Sequence, residues 1–303
     1  MAAEITIGLH ETFAENNPPA LFQMASHAGY DFVELLAPRG PASGLDPVAW
    51  PSEAEARASV QEVRRLSEES GVRTDSFYGG GFWVLRDEDQ PERARRDVDF
   101  FSLLIPMLTQ ECGSRAIVLN LAGALVAPGA AYQDLDCNGS GIGTDIPYQR
   151  AAEALHALGE VAGRAGSVIG VEMHGCSLAD TGASTLKLIQ MANHPAVGVT
   201  WDTGNLITMG RAESWEQQLT LLAPHIVHVH LKNGLYGKNK WRRASLEGGA
   251  MEDVADQILA LRSTGYAGAL VVEAPGLREN QSAMAETDLR FLQRAISRQK
   301  LKC

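Results

Sequence analysis

Residues 167–175 read SVIGVEMHG, an apolar run that closes on a carboxylate and an imidazole. The run VIGV fits a strand buried in a core. Glu172 and His174, two residues apart, then leave that strand on the same side of its sheet. Both side chains are costly to bury, so a core strand that ends in them needs a reason. The rest of the chain supplies one, because other strands end the same way.

Short apolar runs alternate with longer amphipathic stretches from end to end. Strands are expected at 4–9, 31–36, 72–78, 115–123, within 167–175, and at 197–202, 225–231 and 269–274. Helices are expected from Pro18 to Gly29, from Ser52 to Gly71, from Pro91 to Cys112 (with Pro106 as a potential kink) and from Pro147 to Gly166. Four more follow at 183–192, 214–222, 251–264 and 281–298. Ser52 with Glu55 makes a capping box, and Gly71 suits the stop. Eight strand–helix units predict an α/β protein, a single (β/α)8 TIM barrel over 1–303, with no Pro-, Gly- or Ser-rich linker dividing it. The longest connections, 37–51, 79–90, 121–146 and 232–250, all follow strands, which puts the expected active site at the C-terminal face.

The net charge of −11, from 26 basic and 37 acidic residues, argues against a nucleic-acid partner and against anionic membranes. Four scattered cysteines with no CxxC pair fit a reducing cytosol. The N-terminal MAAEITIGLHETF lacks the basic region and long apolar run of a signal peptide, and no stretch approaches the ~18 apolar residues of a membrane span. A cytoplasmic protein is expected.

Glu172 closes the fifth strand, Asp202 the sixth, His230 the seventh and Glu273 the eighth, with spacings of 30, 28 and 43 residues. One barrel unit takes roughly 30 residues, so these side chains should meet at one height around half of the mouth. Three carboxylates so placed need a counter-charge. A divalent cation supplies it, and three oxygen donors with one imidazole suit Mn²⁺, Mg²⁺ or Co²⁺ better than a structural zinc. His174 and Lys232 are the next inward positions, suited to an acid/base and to a cation for an oxyanion. The bland readings are a hydrogen-bonded supporting histidine and a solvated loop lysine. His228 lies one layer deeper, as an orienting or packed group. Asn205 either binds substrate or caps its turn, and Trp83 and Trp241 sit in long loops where they would wall a pocket or cover the barrel. Glu34 on the second strand and His10 on the first are placed to reach the same cavity; Glu34, which interrupts an apolar run, is the better candidate of the two and is expected to bind substrate.

The stretches GYDFVELL, GVEMHG, VGVTWDTGN, VHVHLKN and GYAGALVVEAPG, with SLEGG before the last, resemble the xylose isomerase-like TIM-barrel family of sugar phosphate isomerases and epimerases. The resemblance spans nearly the whole chain. It implies that Glu172, Asp202, His230 and Glu273 bind one divalent metal, Mn²⁺ first and Mg²⁺ or Co²⁺ as alternatives, which grips a carbonyl and a neighbouring hydroxyl of a sugar or polyol. In the family's ketose 3-epimerases the two glutamates also exchange the proton beside the carbonyl. The pairs Glu172/His174 and His230/Lys232 look more like the family's dehydratases and other lyases. Asn205 stands where epimerases often carry histidine, and Tyr236 lies in the region of their arginine.

The resulting expectation is a metal-dependent isomerase or epimerase that works through an enediolate on a sugar, keto-sugar or cyclitol. The alternative is a lyase of the same family with His174 as base, by dehydration or by β-elimination from a 3-keto-glycoside. DNA repair of the AP endonuclease type is a remote alternative, disfavoured by eight histidines and the acidic charge. A non-catalytic partner subunit is a third class. Self-association or a hetero-subunit stays open.

Overall fold

The computed structural model describes residues 5–15, 17–38, 50–81, 91–120, 127, 129, 135–205, 213–237, 240–251, 253–274 and 280–298. Within these, the side chains at 80–81, 91–94, 135, 236–237, 240–241 and 298 are excepted.

Strands β1 (Thr6–His10), β2 (Phe32–Leu36), β3 (Arg73–Gly81), β4 (Ala116–Asn120), β5 (Val168–Glu172), β6 (Val197–Asp202) and β7 (Ile226–Leu231) follow in sequence. An outlying pair comes next, β8 (Asn233–Gly237) and β9 (Lys240–Ala244), and β10 (Ala269–Val272) is last. β1 to β7 and β10 close into one barrel in chain order, every neighbour parallel, with β10 returning to β1. Strands such as AIVLN and VGVTWD are buried at every position, as expected where helices cover the outside and packed side chains fill the inside.

Among the described residues eight helices alternate with the barrel strands. They are α1 (Pro18–Ala28), α2 (Glu53–Ser70), α3 (Pro91–Cys112), α4 (Asp145–Ala165), α5 (Gly182–Ala192), α6 (Trp215–Leu222), α7 (Val254–Ser263) and α8 (Gln281–Arg298). Their starts are set by side-chain caps. Ser52 and Glu55 form the expected reciprocal box, and Thr181/Ser184 and Ser214/Gln217 form two more. Pro106 is accommodated inside α3. α2 stops at Gly71, whose φ of 72° lies in the left-handed region that glycine enters without a steric penalty.

The expected (β/α)8 barrel is therefore the fold. One element differs: 232–250, read above as a single loop, contains the antiparallel β8–β9 hairpin. Its sequence, NGLYGKNKWRRA, has neither a buried apolar run nor clean alternation, and Leu235 on it is 51 % exposed. A two-stranded ribbon held mainly by its own backbone ladder leaves little hydrophobic periodicity to read.

Inside the barrel, Phe32, Ala269 and Val271 form a small apolar plug. Phe32 fits because residue 8 is glycine, since a Cβ there would lie 2.2 Å from the Phe32 ring. With side chains alternating along each strand, the next inward positions after Gly8, Phe32, Gly170, Thr200, His228 and Val271 are His10, Glu34, Glu172, Asp202, His230 and Glu273. An apolar floor thus carries a polar layer above it, at the C-terminal ends of the strands.

Candidate active and metal-binding site

Each barrel strand delivers one polar side chain to this end: His10, Glu34, Tyr78, Asn120, Glu172, Asp202, His230 and Glu273 in strand order. The four expected ligands converge. Glu172, Asp202, His230 and Glu273 each offer a donor atom, all within 4.8 Å of one another. Nδ1 of His230 faces the carboxylates, at 3.3 Å from Glu172 Oε1, 3.8 Å from Glu273 Oε2 and 4.0 Å from Asp202 Oδ2. Glu172, Asp202 and His230 are at most 2 % exposed, whereas Glu273 keeps 13 % and so faces the opening.

Lys232 is no solvated loop residue. Its side chain is 4 % exposed, and Nζ bridges Asp202 Oδ2 at 2.6 Å and Glu273 Oε2 at 2.5 Å. Gly204 makes this reach feasible: a Cβ there would lie 2.1 Å from Cγ of the lysine stem. Burial would strip the proton from Lys232, but Asp202, Glu273 and Glu172 overrule it and keep an ammonium.

The cluster is nonetheless short of positive charge. Burial, opposed by Lys232 and reinforced by Glu273 and Glu172, pushes the Asp202 carboxyl up to about 7. Burial works against a charged His230, yet Glu34 and Glu172 raise it well above the ordinary imidazole range. A dication among these donors would replace the protons that Asp202 and His230 otherwise retain, so the residues fit a divalent metal.

Beneath the cluster, Glu34 occupies the centre of a ring of imidazoles. His230 Nε2 donates to its Oε1 at 2.7 Å and His228 Nε2 to its Oε2 at 2.8 Å. Burial raises the Glu34 carboxyl, but the two imidazoles hold it well below the usual range. With Nε2 engaged below, His230 turns Nδ1 to the carboxylates above, the carboxylate–histidine pairing that fixes a ligand's tautomer. Glu34, His228 and His230 also form a second cluster of potential metal donors within 4.8 Å.

Other expected residues fall as follows. Asn205 is buried, and its Nδ2 donates to Asp202 Oδ2 at 3.0 Å and to the Met173 carbonyl at 2.9 Å, which ties the β6 turn to β5. His174 is partly exposed just beyond β5, its Nδ1 3.0 Å from the Gly175 carbonyl oxygen. Trp241 is placed on β9 by its backbone, its side chain lying outside the described residues, as does Trp83 altogether. Tyr78 and Asn120 were not singled out by the sequence. The Tyr78 hydroxyl donates to Glu172 Oε2 at 3.1 Å and Asn120 Nδ2 to the same oxygen at 2.7 Å. A polar residue ending an apolar strand, the signal that found Glu172, is also present at Asn120 in AIVLN. A cavity of about 780 Å³ lies elsewhere, lined mainly by residues of α2 with Pro18 and Pro19 of α1 and the segment from Leu35 to Pro38.

The sequence profile of the xylose isomerase-like TIM barrel family matches residues 22–295. A 93-residue stretch is 34 % identical to inosose dehydratase 1 of Bacillus cereus, covering 30 % of this chain and 30 % of that protein. Two solved structures share the fold. One is a xylose isomerase-like TIM barrel protein from Mycobacterium smegmatis in complex with magnesium (TM-score 0.72, 17 % identity, 97 % of each chain). The other is D-allulose 3-epimerase from Methylomonas sp. in complex with D-allulose (TM-score 0.71, 15 % identity, 97 % of this chain and 98 % of that one).

Proposed function

Because this chain belongs to the xylose isomerase-like TIM barrel family, we propose that it is a divalent-metal-dependent isomerase or epimerase. Its substrate would be a sugar, keto-sugar or cyclitol, attacked at the carbon beside the carbonyl. The observation that carries this reading is the convergence of Glu172, Asp202, His230 and Glu273 within 4.8 Å at the C-terminal end of the barrel. Those four would hold one ion, Mn²⁺ first and Mg²⁺ or Co²⁺ as alternatives. When bound, the ion supplies Lewis-acid polarisation of the carbonyl oxygen, several kcal/mol toward an enediolate.

The chain's own groups do the rest. Glu273, which faces the opening, takes the proton from the carbon beside the carbonyl. Lys232, within 2.6 Å of both Asp202 and Glu273, keeps an ammonium beside the charge that develops. Glu172, oriented by Tyr78 and Asn120, would deliver to the opposite face a proton that it takes up from solvent between turnovers, as Glu273 loses its own, which inverts the centre. Proton return to the neighbouring carbon instead interconverts aldose and ketose. The near-complete burial of Glu172, Asp202 and His230 keeps water from the enediolate.

A second reading, elimination, is favoured by the local match to inosose dehydratase and by Lys232 and His174 standing at the mouth. There His174 removes the proton, and the enediolate expels a β-hydroxyl or an aglycone.

Incubation of the Mn²⁺-loaded protein with D-allulose, inosose and 3-keto-glycosides in D₂O tests both readings. Solvent deuterium in recovered substrate or its isomer is expected, and an unsaturated product would establish elimination. Absence of both exchange and an unsaturated product across the whole set would reject both readings.

A further inference from the structure

His10, at the end of β1, is a buried imidazole whose two nitrogens live in different worlds. Nδ1 is fully engaged by Thr12: the backbone N–H of Thr12 donates to it at 3.0 Å, and the Thr12 hydroxyl lies 3.1 Å away. That hydroxyl accepts the Ala274 N–H at 2.9 Å, so its own proton is free to point at Nδ1. Nδ1 is therefore the acceptor and carries the lone pair, which places the proton of the neutral ring on Nε2.

Nε2 has no hydrogen-bond partner, although the residue is 1 % exposed. The acceptor beside it, Glu34 Oε1, is 3.5 Å away and already takes the N–H of His230 at 2.7 Å. The ring cannot simply turn elsewhere. It is wedged edge-on between Tyr78 and His230, with ring centroids 5.5 and 5.7 Å apart, and Thr12 clamps its far side. A buried donor left unmet costs about 1–3 kcal/mol, and such groups are uncommon unless something arrives to meet them.

The location says what arrives. By strand register, Leu9 pairs with Val272 and His10 with Glu34, so His10 stands between Glu273 and Glu34 at the level of the site. In the closed order of eight strands, β1 lies diametrically opposite β5, which carries Glu172. A donor at that place faces the end of a bound molecule remote from Glu172.

We propose that His10 is a substrate-binding residue: its Nε2–H donates to a hydroxyl oxygen of the polyhydroxylated carbonyl compound, on the part of the molecule away from Glu172 and Asp202. This rests on the proposed function in assigning the substrate class. It adds a specificity contact, since a site built to meet an oxygen there discriminates against compounds that lack it.

The test uses the full chain loaded with Mn²⁺, with D-allulose and inosose as probes. His10→Phe removes the donor and keeps the ring volume, and His10→Gln keeps an N–H of similar reach. Three quantities are read: the probe concentration that half-saturates deuterium exchange, bound Mn²⁺ per chain, and the Nε2–H proton signal, assigned by its loss in H10F and recorded with diamagnetic Mg²⁺ in place of Mn²⁺. The expected result is a rise in half-saturation of about 10-fold or more in H10F, partial recovery in H10Q, and unchanged Mn²⁺. Singly deoxygenated probes sharpen the test. Removing the partner hydroxyl should weaken binding to the parent protein and leave H10F indifferent.

If no probe exchanges deuterium yet adding one shifts the Nε2–H signal, the proposed reaction fails while the His10 contact stands. Equal half-saturation in H10F, a loss of Mn²⁺ in place of a loss of probe affinity, or an unmoved Nε2–H signal under every probe would overturn the proposal. The second of these would make His10 a third support for Glu34.

Discussion

Glu34 gains its importance from partners 194 and 196 residues away in the chain. Nothing local to GYDFVELL announces that both oxygens of this carboxylate meet imidazoles, although its interruption of an apolar strand marks it as unusual. Its contribution should be to hold His230 with Nδ1 turned upward. Glu34→Gln keeps the volume but removes the charge and one acceptor, so Mn²⁺ affinity is expected to fall about 10- to 100-fold while the fold persists, measured by calorimetric titration against the parent protein. Undiminished affinity would remove Glu34 from the site's support. Residues read from strand ends are the ones the sequence exposes best, because Glu172, Asp202 and His230 each break an apolar run. Tyr78 escaped because β3, RTDSFYGGG, is polar along its inward positions and offers no apolar run to break. Asn120 escaped because the expected strand 115–123 runs on past it through Leu121 and Ala122, so it does not stand at that strand's end.

Among the described strands, the β8–β9 hairpin is the pair absent from the sequence reading, and a buried ion pair helps to anchor it. Arg243 on β9 reaches Asp288 on α8 at 2.6 Å and also donates to the carbonyls of Asn233 and Ala244. The pair is a strained compromise with burial. Burial raises Asp288 to about 6 despite Arg243, and it lowers Arg243 despite Asp288. A carboxyl whose folded value exceeds its unfolded value contributes stability below the unfolded value, and that contribution is lost as pH rises through about 6. Arg243→Met strands the carboxyl without its cation. It should cost about 3–5 kcal/mol near neutrality, and less at about pH 5, where Asp288 takes up a proton. Denaturant titrations at the two pH values measure this. A loss that grows toward acid would contradict the sign. The double replacement Arg243→Met with Asp288→Leu should recover much of the loss, since no buried charge is left unpaired. Other elements were readable for a plain reason: caps such as Ser52/Glu55 and the stop at Gly71 are local chemistry, decided within one helical turn.

At the scale of the whole molecule, closure of the barrel gathers what the chain keeps apart. Eight strands each contribute one polar side chain to a single rim, and only the ring as a whole explains why four carboxylates share so small a volume. Such a site is unfavourable on its own, so the proposed cation should stabilise the folded state. At a Mn²⁺ concentration about 100 times its dissociation constant, stability should rise by about 2.7 kcal/mol, read as an upward shift in Tm. Asp202→Asn should abolish most of that shift. The central claim is more specific than stabilisation, however, because Glu34, His228 and His230 form a rival set of donors one layer below. Anomalous diffraction at the manganese edge, from crystals grown with Mn²⁺, separates the two. The account predicts one peak bound by Glu172, Asp202, His230 and Glu273; a peak seated on Glu34 and His228, or none at all, would contradict it.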